Sequence, residues 1–461
     1  MMPLLALLLA SATSTAAIDA AITKQVSEQQ VTGAAVGVYR DGTLVTIKTY
    51  GLRDVAKNLP VDADTRFEIG SVTKQFTAAA ILQLHEHGKL SIDDPLAKYL
   101  PSFPHASEIT LRQLLNQISG LPNYTGMADI QTMMSTVPDA TGKIVAYVNK
   151  PLSFTPGTKW EYSNTNYWVL GKVVAVVSGT SYEDYIREHI FKPAGMTHSG
   201  FVSDESNIDD FAIPYWQGPK SDGPTQPAPK MLESWPSAAG AIVSTIGDLA
   251  AWDTALASGK VISADSYALM SSPGRLANGK LTDYGMGLEV GVHEDHARVA
   301  HGGGTPGSLA MNATYPNDHL DIIVLENNVR GQPGAVESAV LETIYPDALV
   351  AVRKPAPGED LSVRPHIVHL LDGVIHGTLA PADLSPQMQK LLTPEMQKQS
   401  AERFGTFGAP TAIVFKMKDD SSFDTTWYVY RIEFAHGEVR NFEVQLNNKT
   451  GIVTGMQLAP G

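Results

Sequence analysis

The sequence of 461 residues predicts a mixed α/β (α+β) fold with two domains. Two alternating runs of apolar and polar residues flank Asp41-Gly42 and predict a hairpin over residues 33–50. Helical patterns fill the middle of the chain, and strand patterns return between residues 284 and 326. Helical and then strand patterns recur over residues 364–461, which predicts a separate small α+β domain.

The composition excludes several classes of function. Hydrophobic residues make up 43% of the chain and charged residues 18%, which is typical of a globular protein with a substantial core. The net charge of -14 argues against nucleic acid or an anionic membrane as partner. Since the chain has no cysteine, disulfides, a thiol nucleophile and a thiolate metal site are excluded.

The N-terminal segment Met1–Ala17 predicts export. It has an apolar centre and a small-residue end, which resembles a secretory signal peptide cleaved near Ala17, although the usual basic residues at its start are missing. No later segment has the about 18 apolar residues needed to span a bilayer. We therefore expect a secreted or periplasmic protein whose first domain covers residues 18–352.

Composition and end signals predict the helices of the middle region. Alanines and straight-chain apolar residues favour helix formation, and glycine commonly ends a helix, as expected at Gly88 and Gly179. Longer helices are predicted over residues 71–84, 164–178 and 182–191, and shorter helical segments open at Asp94-Pro95 and Thr110-Leu111.

A long segment, residues 201–237, is rich in Pro, Gly, Asp and Ser and carries Tyr215, Trp216 and Trp235. A loop of this length in a compact domain is often functional. Two interpretations stay open: the segment walls a substrate cleft, or it is a surface insertion.

Strand patterns follow this segment. They cover residues 286–292, 298–303, 308–315 and 320–326, with a polar turn at His293–His296. A linker is predicted over residues 353–363 because Pro355–Asp360 is rich in proline. Beyond it, residues 364–404 have helical patterns and residues 410–459 alternate in four short runs, loosely similar to cystatin or NTF2 modules.

A reactive serine is predicted at the start of the helix over residues 71–84. Lys74 is the one charged residue of this helix, and a buried ammonium is costly unless it is paired or used. Lys74 follows Ser71 by three residues, so both side chains lie on one face. The helix N-terminus also favours a developing anion. These are the parts of an activated nucleophile; a serine that only caps the helix is the simpler alternative.

The second motif is Tyr162-Ser163-Asn164, on a loop before a helix. A tyrosine beside a lysine ammonium can have its pKa lowered from about 10, which would let it act as a base. The amide of Asn164 offers one acceptor and two donors, enough to hold the lysine and a substrate carbonyl. An asparagine cap with an incidental tyrosine is the alternative.

The third motif is His301-Gly302-Gly303-Gly304, at the end of a predicted strand. Glycine lets a substrate backbone lie against the strand edge. The N–H of Gly303 or Gly304 could form an oxyanion hole with the N–H of Ser71. His301 could support the tyrosine or the leaving group.

The three motifs together resemble the penicillin-recognising serine hydrolases. Within these they are most similar to the class C β-lactamase-like group, which includes D-aminopeptidases, D-alanyl-D-alanine carboxypeptidases and esterases. The ordered set is Ser71-x-x-Lys74, Tyr162-x-Asn164 and His301-x-Gly303, with further similar stretches at residues 111–122, 154–157, 192–196 and 240–245. The resemblance implies a five-stranded antiparallel sheet flanked by helices and an all-helical lobe that carries Tyr162, with the active site between them.

The resemblance also implies a mechanism. Ser71 attacks a carbonyl carbon, Lys74 with Tyr162 removes and relays the proton, and water hydrolyses the resulting acyl-enzyme. Which of the two is the base stays open. The expected substrate is a small molecule or a short peptide, with no cofactor and no metal; the oligomeric state is left open. The sequence Gly302–Gly307 matches a dinucleotide fingerprint, but a strand and not a helix follows it.

Two departures from the family pattern bear on the substrate. A true class C β-lactamase has Lys-Thr-Gly where His301–Gly303 stands here, and the missing hydroxyl weakens the case for binding a carboxylate. Amide or ester hydrolysis is therefore favoured, with a true β-lactamase or a slowly acylating penicillin-binding sensor as alternatives. Gln117 stands where many relatives have a histidine, and the sequence assigns it no role.

Overall fold

The computed structural model describes residues 14–29, 31–207, 210–216, 225–293, 296–346, 356, 358–419, 424–435 and 438–460. Most of the predicted signal peptide, residues 1–13, lies outside this range. So do residues 353–355 and 357 of the predicted linker, residues 208–209 and 217–224 of the 201–237 segment, and residues 294–295 of the polar turn. The chain forms two compact units, residues 1–344 and 345–461.

The helices of the first unit are α1 Thr15–Gln29, α2 Thr73–Glu86, α3 Leu111–Leu115, α4 Ile130–Thr136, α5 Thr141–Val148, α6 Asn164–Ser178, α7 Tyr182–Ile186, α8 Lys192–Ala194, α9 Ser237–Gly240, α10 Ile246–Ala257, α11 Ala264–Met270 and α12 Pro333–Ile344. Helix α6 agrees with its prediction, and Gly179 ends it with φ 77°. The predicted helix over residues 182–191 is divided, because α7 continues as a π-helical turn, Arg187–Phe191. Helices α1, α10, α11 and α12 were not predicted, although the Thr245 side chain caps α10 by accepting from the Asp248 amide.

The strands of the first unit are β1 Gly33–Arg40, β2 Thr43–Asp54, β3 Leu59–Pro60, β4 Phe67–Glu68, β5 Gly200–Phe201, β6 Tyr215–Trp216, β7 Gln226–Pro227, β8 Ile242–Ser244, β9 Glu289–His293, β10 His296–Thr305, β11 Ser308–Tyr315 and β12 Leu320–Glu326. Seven of them form the main antiparallel sheet in the order β3-β2-β1-β12-β11-β10-β9. The expectation of five strands is therefore wrong, since the sheet has two more strands than the resemblance implied.

The predicted hairpin is confirmed as the pair β1 and β2. Asp41 and Gly42 at its tip have φ values of 50° and 69°. A two-residue turn with both central residues in the left-handed region matches the twist of the flanking strands, and Asp-Gly tolerates it well. On its other side β1 pairs with β12, so the first and the last strand of the unit lie side by side in the sheet.

Helix α2 forms the centre of the first unit. Twelve consecutive residues, Thr73–Leu84, are buried, so the helix has no solvent face along this length. Phe76 stacks on Trp252 of α10 with ring centroids 4.2 Å apart. A 3₁₀ turn, Gly70–Val72, precedes the helix. Ser71 was expected to be the first residue of the α-helix, but it lies in this turn.

The second unit contains the predicted helices and four strands. The helices are α13 Arg364–His376, α14 Pro386–Leu391 and α15 Pro394–Gly405, and the strands, in sheet order, are β13 Pro410–Asp419, β14 Thr425–Phe434, β15 Val439–Asn447 and β16 Val453–Pro460. The core of this unit is formed by Leu370 and Leu371 of α13 with Phe415, Tyr430 and Phe442 of the sheet. Within the part of the chain that the structure describes, no helix combines the length and apolar character needed to cross a membrane.

Candidate active site

Ser71 lies in the turn between strand β4 and helix α2. Gly70 has φ 50°, a left-handed value that lets the chain turn sharply from strand to helix. The first hydrogen bonds of the turn are donated by the amides of Val72 and Thr73. The amide of Ser71 therefore has no partner within the turn and is available for a developing oxyanion.

Lys74 is fully buried, at 0% exposure, beside the Ser71 hydroxyl. Its Nζ lies 2.9 Å from Ser71 Oγ and donates to Asn164 Oδ1 at 2.8 Å and to the carbonyl oxygen of Ala239 at 2.8 Å. Amide and carbonyl oxygens can only accept, so two N–H bonds of Lys74 are directed to them. The remaining position on Nζ, a proton or a lone pair, faces Ser71.

The protonation state of Lys74 follows from its burial. An ammonium is costly to remove from water, and this holds the pKa of Lys74 well below its ordinary 10.5. A neutral amine keeps both of its donations and presents its lone pair to the Ser71 O–H. This is the arrangement of a general base and its nucleophile within hydrogen-bond reach, which favours Lys74 over Tyr162 as the base.

Tyr162 lies on the loop before α6, and Lys74 Nζ is 4.8 Å from the centre of its ring. Burial raises the pKa of Tyr162 above its ordinary 10.0, and a hydrogen bond with Ser71 opposes this shift only in part. The expectation of a lowered pKa is wrong, because burial of Tyr162 makes its charged tyrosinate form costly. A neutral phenol is a proton donor, so Tyr162 is suited to protonate a leaving group.

Asn164 is held at the start of α6 by a second asparagine. Its main-chain N–H donates to Asn123 Oδ1 at 3.1 Å, while its own Oδ1 accepts from Lys74. The NH₂ group of the same amide can donate to a substrate carbonyl. Asn164 is therefore able to link the base to the substrate, as the sequence predicts.

His301 is 2% exposed and its two ring nitrogens both have partners. Nδ1 lies 2.6 Å from the carbonyl oxygen of Gly302, which can only accept, so Nδ1 carries the proton. Nε2 then accepts from the Tyr284 hydroxyl at 3.0 Å. Burial, with the nearby Lys74, lowers the pKa of His301 to about 3. His301 is thus a neutral ring that packs near Tyr162, and it is not a cation.

The glycines after His301 allow β10 to pass directly beside Ser71. A Cβ at Gly303 would lie 1.9 Å from the carbonyl oxygen of Ile69 and 3.3 Å from the Ser71 nitrogen. A Cβ at Gly70 would lie 2.6 Å from the Gly304 nitrogen. Because both approaches exclude a side chain, the backbones of the turn and the strand are in direct contact. The amides of Ser71 and Gly304 are suited to form an oxyanion hole.

The structure brings the predicted site residues to one place. Ser71, Lys74, Tyr162 and Asn164 are directly linked, Gly303 and Gly304 lie against Ser71, and His301 lies one ring away, with its centroid 6.1 Å from that of Tyr162. Sequence reasoning missed the Ala239 carbonyl, Tyr284 and the role of Gln117. A main-chain acceptor has no sequence signal. For Gln117, the one available sign was that many relatives have a histidine at this position.

Gln117 fixes the loop that carries Tyr162. It has φ 60°, and its Oε1 accepts from the Ser163 amide at 3.0 Å and from Asn166 Nδ2 at 2.6 Å. Its carbonyl oxygen also accepts from the Glu161 amide at 3.0 Å. Both neighbours of Tyr162 are therefore tied to one residue, which makes Gln117 a positioning residue.

We expect Gln117→Ala to lower kcat about tenfold, because the Ser163 amide and Asn166 lose their shared acceptor and Tyr162 is less precisely placed. The loss of a buried hydrogen-bonding group should also lower the free energy of unfolding by about 1–3 kcal/mol. Gln83→Ala is the matched control. Gln83 is buried at the end of α2 away from Ser71, and its Nε2 donates to the carbonyl oxygens of His189 and Val261. Steady-state kinetics and urea unfolding compare the two; equal kcat values in both variants would contradict the positioning role.

The described parts of the 201–237 segment are packed into the unit. The Tyr215 amide donates to the Gly307 carbonyl oxygen at 3.1 Å, and its hydroxyl accepts from the Val55 amide at 2.8 Å. Trp235 is buried and donates from Nε1 to the Val137 carbonyl oxygen at 2.9 Å. These contacts favour the interpretation that the segment walls a substrate cleft over the interpretation that it is a surface insertion.

Comparison with known proteins agrees with this geometry. The family described as Beta-lactamase matches residues 18–342. A Bacillus subtilis protein named as a candidate penicillin-binding protein, PbpX, is 35% identical over 312 residues, which cover 67% of this chain and 73% of that protein. The structure of a D-stereospecific amidohydrolase from Streptomyces sp. is 26% identical with a TM-score of 0.62 and covers 72% of this chain and 98% of that chain. The D-amino acid amidase from Ochrobactrum anthropi SV3, complexed with D-phenylalanine, is 25% identical with a TM-score of 0.63 and covers 72% of this chain and 99% of that chain.

Proposed function

The chain belongs to the beta-lactamase family and is a serine hydrolase, and we propose that it cleaves amide or ester bonds with Ser71 as its nucleophile and Lys74 as its base. The observation that carries this proposal is the set of three oxygens around Lys74 Nζ. Two of them fix the amine, and the third is the Ser71 hydroxyl. A buried lysine with this neighbourhood is explained by use as a base.

The reaction proceeds by acyl transfer. As Ser71 Oγ attacks the substrate carbonyl carbon, its proton passes to the Lys74 amine, and the amides of Ser71 and Gly304 stabilise the oxyanion. The leaving amine takes a proton, either from the Tyr162 hydroxyl, which is restored by the Lys74 ammonium, or directly from Lys74. Water then attacks the acyl-enzyme with Lys74 again as base, and this releases the acid and Ser71.

The third motif is the place where a class C β-lactamase binds the carboxylate of its substrate. In this chain the neutral charge of that place favours a substrate without a carboxylate there. His301 occupies the first position of the third motif, and its ring is neutral with both nitrogens engaged. A substrate carboxylate placed there would lose water without gaining a cation, which is unfavourable. We therefore propose that this chain prefers amides or esters over substrates with a free carboxylate next to the scissile bond.

The proposal is tested with two matched peptides and three reactive probes. N-acetyl-D-alanyl-D-alaninamide and N-acetyl-D-alanyl-D-alanine differ only in the terminal carboxylate, and we expect the amide to have the higher kcat/KM by at least about tenfold. A short-chain activated ester, a D-alanyl anilide and a penicillin are each mixed with the enzyme. Intact mass and peptide mapping then show whether an acyl group is carried by Ser71.

The outcomes separate the alternatives. Faster turnover of the anilide or the ester supports the proposal, and faster turnover of the penicillin would favour a true β-lactamase. A stable penicillin adduct without turnover of any probe would favour a slowly acylating binding protein. A preference for the free carboxylate would contradict the argument from His301.

Export is the second part of the proposal. Residues 1–17 have the pattern of a signal peptide, and the first buried side chain of α1 is Ile18, directly after the predicted cleavage position. A chain that starts at Ile18 keeps every buried residue of α1. N-terminal sequencing of protein recovered from the periplasm or medium tests this; a mature chain that still starts at Met1 would contradict it.

A further inference from the structure

A cluster of buried oxygens lies behind the Ser71 turn. Glu68, the last residue of β4, is 4% exposed and stands three positions before Ser71. Its carboxyl interacts with the carboxyl of Glu205, in the 3₁₀ segment Val202–Asn207, and with the hydroxyl of Thr305. Lys230 Nζ lies 3.6 Å from the other side of Glu205, at Oε2. The cluster therefore joins three chain segments that surround the nucleophile.

Among the described residues, three oxygens of the cluster lack a hydrogen bond of ordinary length and angle, although Glu68 interacts with both Glu205 and Thr305. They are Glu68 Oε2, Glu205 Oε1 and Thr305 Oγ1, and all three are buried. An unsatisfied buried oxygen is costly, and two facing carboxylates would also repel each other. One proton held between Glu68 and Glu205 removes the repulsion. With Lys230 as counter-ion, the cluster then carries no net charge.

The position of Thr305 connects this cluster to the oxyanion hole. Thr305 is the last residue of β10 and directly follows Gly304, whose amide faces the Ser71 turn. Glu68 and Thr305 therefore flank the two segments that supply the oxyanion amides. Small changes in the spacing of such donors have large effects on the rate, because they must fit the developing oxyanion.

We propose that Glu68 is a positioning residue, which shares one proton with Glu205 and so holds the end of β10 and the segment around Glu205 against the strand before Ser71. This inference rests on the proposed function for its effect on catalysis. It does not require Glu68 to contact the substrate.

The proton gives the arrangement a pH dependence. Burial, with repulsion from Glu205, raises the pKa of Glu68 from 4.5 to about 8, while Lys230 and Thr305 act in the opposite direction. Burial also raises the pKa of Glu205. The folded protein thus holds a proton that the unfolded chain loses, so stability falls as the pH rises from about 4.5 to about 8. Above that range the shared proton is lost and the two carboxylates repel.

The test compares the full-length wild type with Glu68→Gln and Glu68→Ala between pH 5 and pH 9.5. We expect wild-type kcat to fall on the alkaline side, with KM changing less, as the proton is lost. Glu68→Gln should remove this alkaline loss, because its amide donates to Glu205 at every pH. Glu68→Ala should lower kcat about tenfold at all pH values, since the tie is gone.

Stability provides a second readout that does not depend on activity. In urea unfolding, the free energy of wild type relative to that of Glu68→Gln should fall between pH 5 and pH 8, because only wild type loses the shared proton. Glu326→Gln is the matched control, because burial also raises the pKa of Glu326 to about 8, at the end of β12. It should change the stability slope without changing the alkaline loss of kcat.

The outcomes distinguish this inference from the proposed function. The same alkaline loss of kcat in wild type and Glu68→Gln, or a Glu68→Ala variant with normal kcat, would overturn the positioning role. An unchanged stability slope in Glu68→Gln would overturn the shared proton. Failure of the proposed function would appear differently, as the absence of Ser71 acylation at every pH in all variants.

Discussion

Ser71→Ala is expected to abolish turnover of every substrate and to prevent formation of a covalent adduct. The hydroxyl is the only group of the proposed mechanism that bonds to the substrate carbon. Removing a nucleophile typically lowers kcat by on the order of 10⁴-fold or more. The fold should be retained, because Ser71 lies in a turn that is held by main-chain hydrogen bonds and needs no side chain there. Intact mass spectrometry and turnover assays with the same probe panel measure both effects.

Ser163→Ala is the matched control for this experiment. Ser163 lies next to Asn164 in the same site, is 3% exposed, and its hydroxyl has no hydrogen-bond partner among the described residues. Its main-chain amide, which donates to Gln117, is unchanged by the substitution. We expect this variant to keep kcat within about threefold, as removal of an unpaired hydroxyl is nearly neutral. An adduct or full turnover in Ser71→Ala would show that another residue is the nucleophile.

Local patterns in the sequence were enough to predict many elements. Asp41-Gly42 between two alternating runs predicted the hairpin, and Gly179 marked the end of α6 correctly. In both places one or two residues with a left-handed backbone end or reverse an element, so the signal is local. Helix α1 was missed for the opposite reason. Its first three residues fall within the predicted signal peptide, and the burial of Ile18, Ile22 and Val26 stabilises it.

The seven candidate residues of the site could be named from the sequence, because each of them belongs to one of three short motifs. The protonation states of these residues could not be predicted from the sequence. The pKa values of Lys74, Tyr162 and His301 depend on how deeply the surrounding chain buries them, and burial is a property of the whole fold. A lysine and a tyrosine that are adjacent in water would favour a tyrosinate. The same pair in a dry site favours the neutral forms of both.

The groups that support the site are the least visible in the sequence. The Ala239 carbonyl belongs to a residue without a functional side chain, and Tyr284 reaches His301 from a segment with no motif. Gln117 was noticed only as a departure from a family pattern. Such residues act through geometry that long-range packing creates, so their types alone do not indicate a role. This explains why the chemistry of the site was easier to predict than its positioning.

Lys74 is the residue for which the structure makes the most specific prediction. Lys74→Met keeps the length of the side chain and removes the base, and we expect kcat/KM to fall about 10³-fold. Lys74→Arg places a permanent positive charge at this position, because a guanidinium cannot be deprotonated in a protein. If Lys74 is the base, both variants should be inactive. A Lys74→Arg enzyme with substantial activity would show that the positive charge, and not proton transfer, is what the reaction needs.

The pH dependence provides an independent check on the same residue. Burial lowers the pKa of Lys74, so the folded protein binds fewer protons than the unfolded chain between the lowered pKa and 10.5. Wild-type stability should therefore rise with pH across this range relative to Lys74→Met. The wild-type rate should rise with pH through the same lowered pKa, because the neutral amine is the active form. Urea unfolding and kcat/KM, each measured from pH 5 to pH 9.5, should locate one common titration. A rate that falls through this titration in Glu68→Gln as well as in wild type would require the ammonium form, and the base would then be Tyr162.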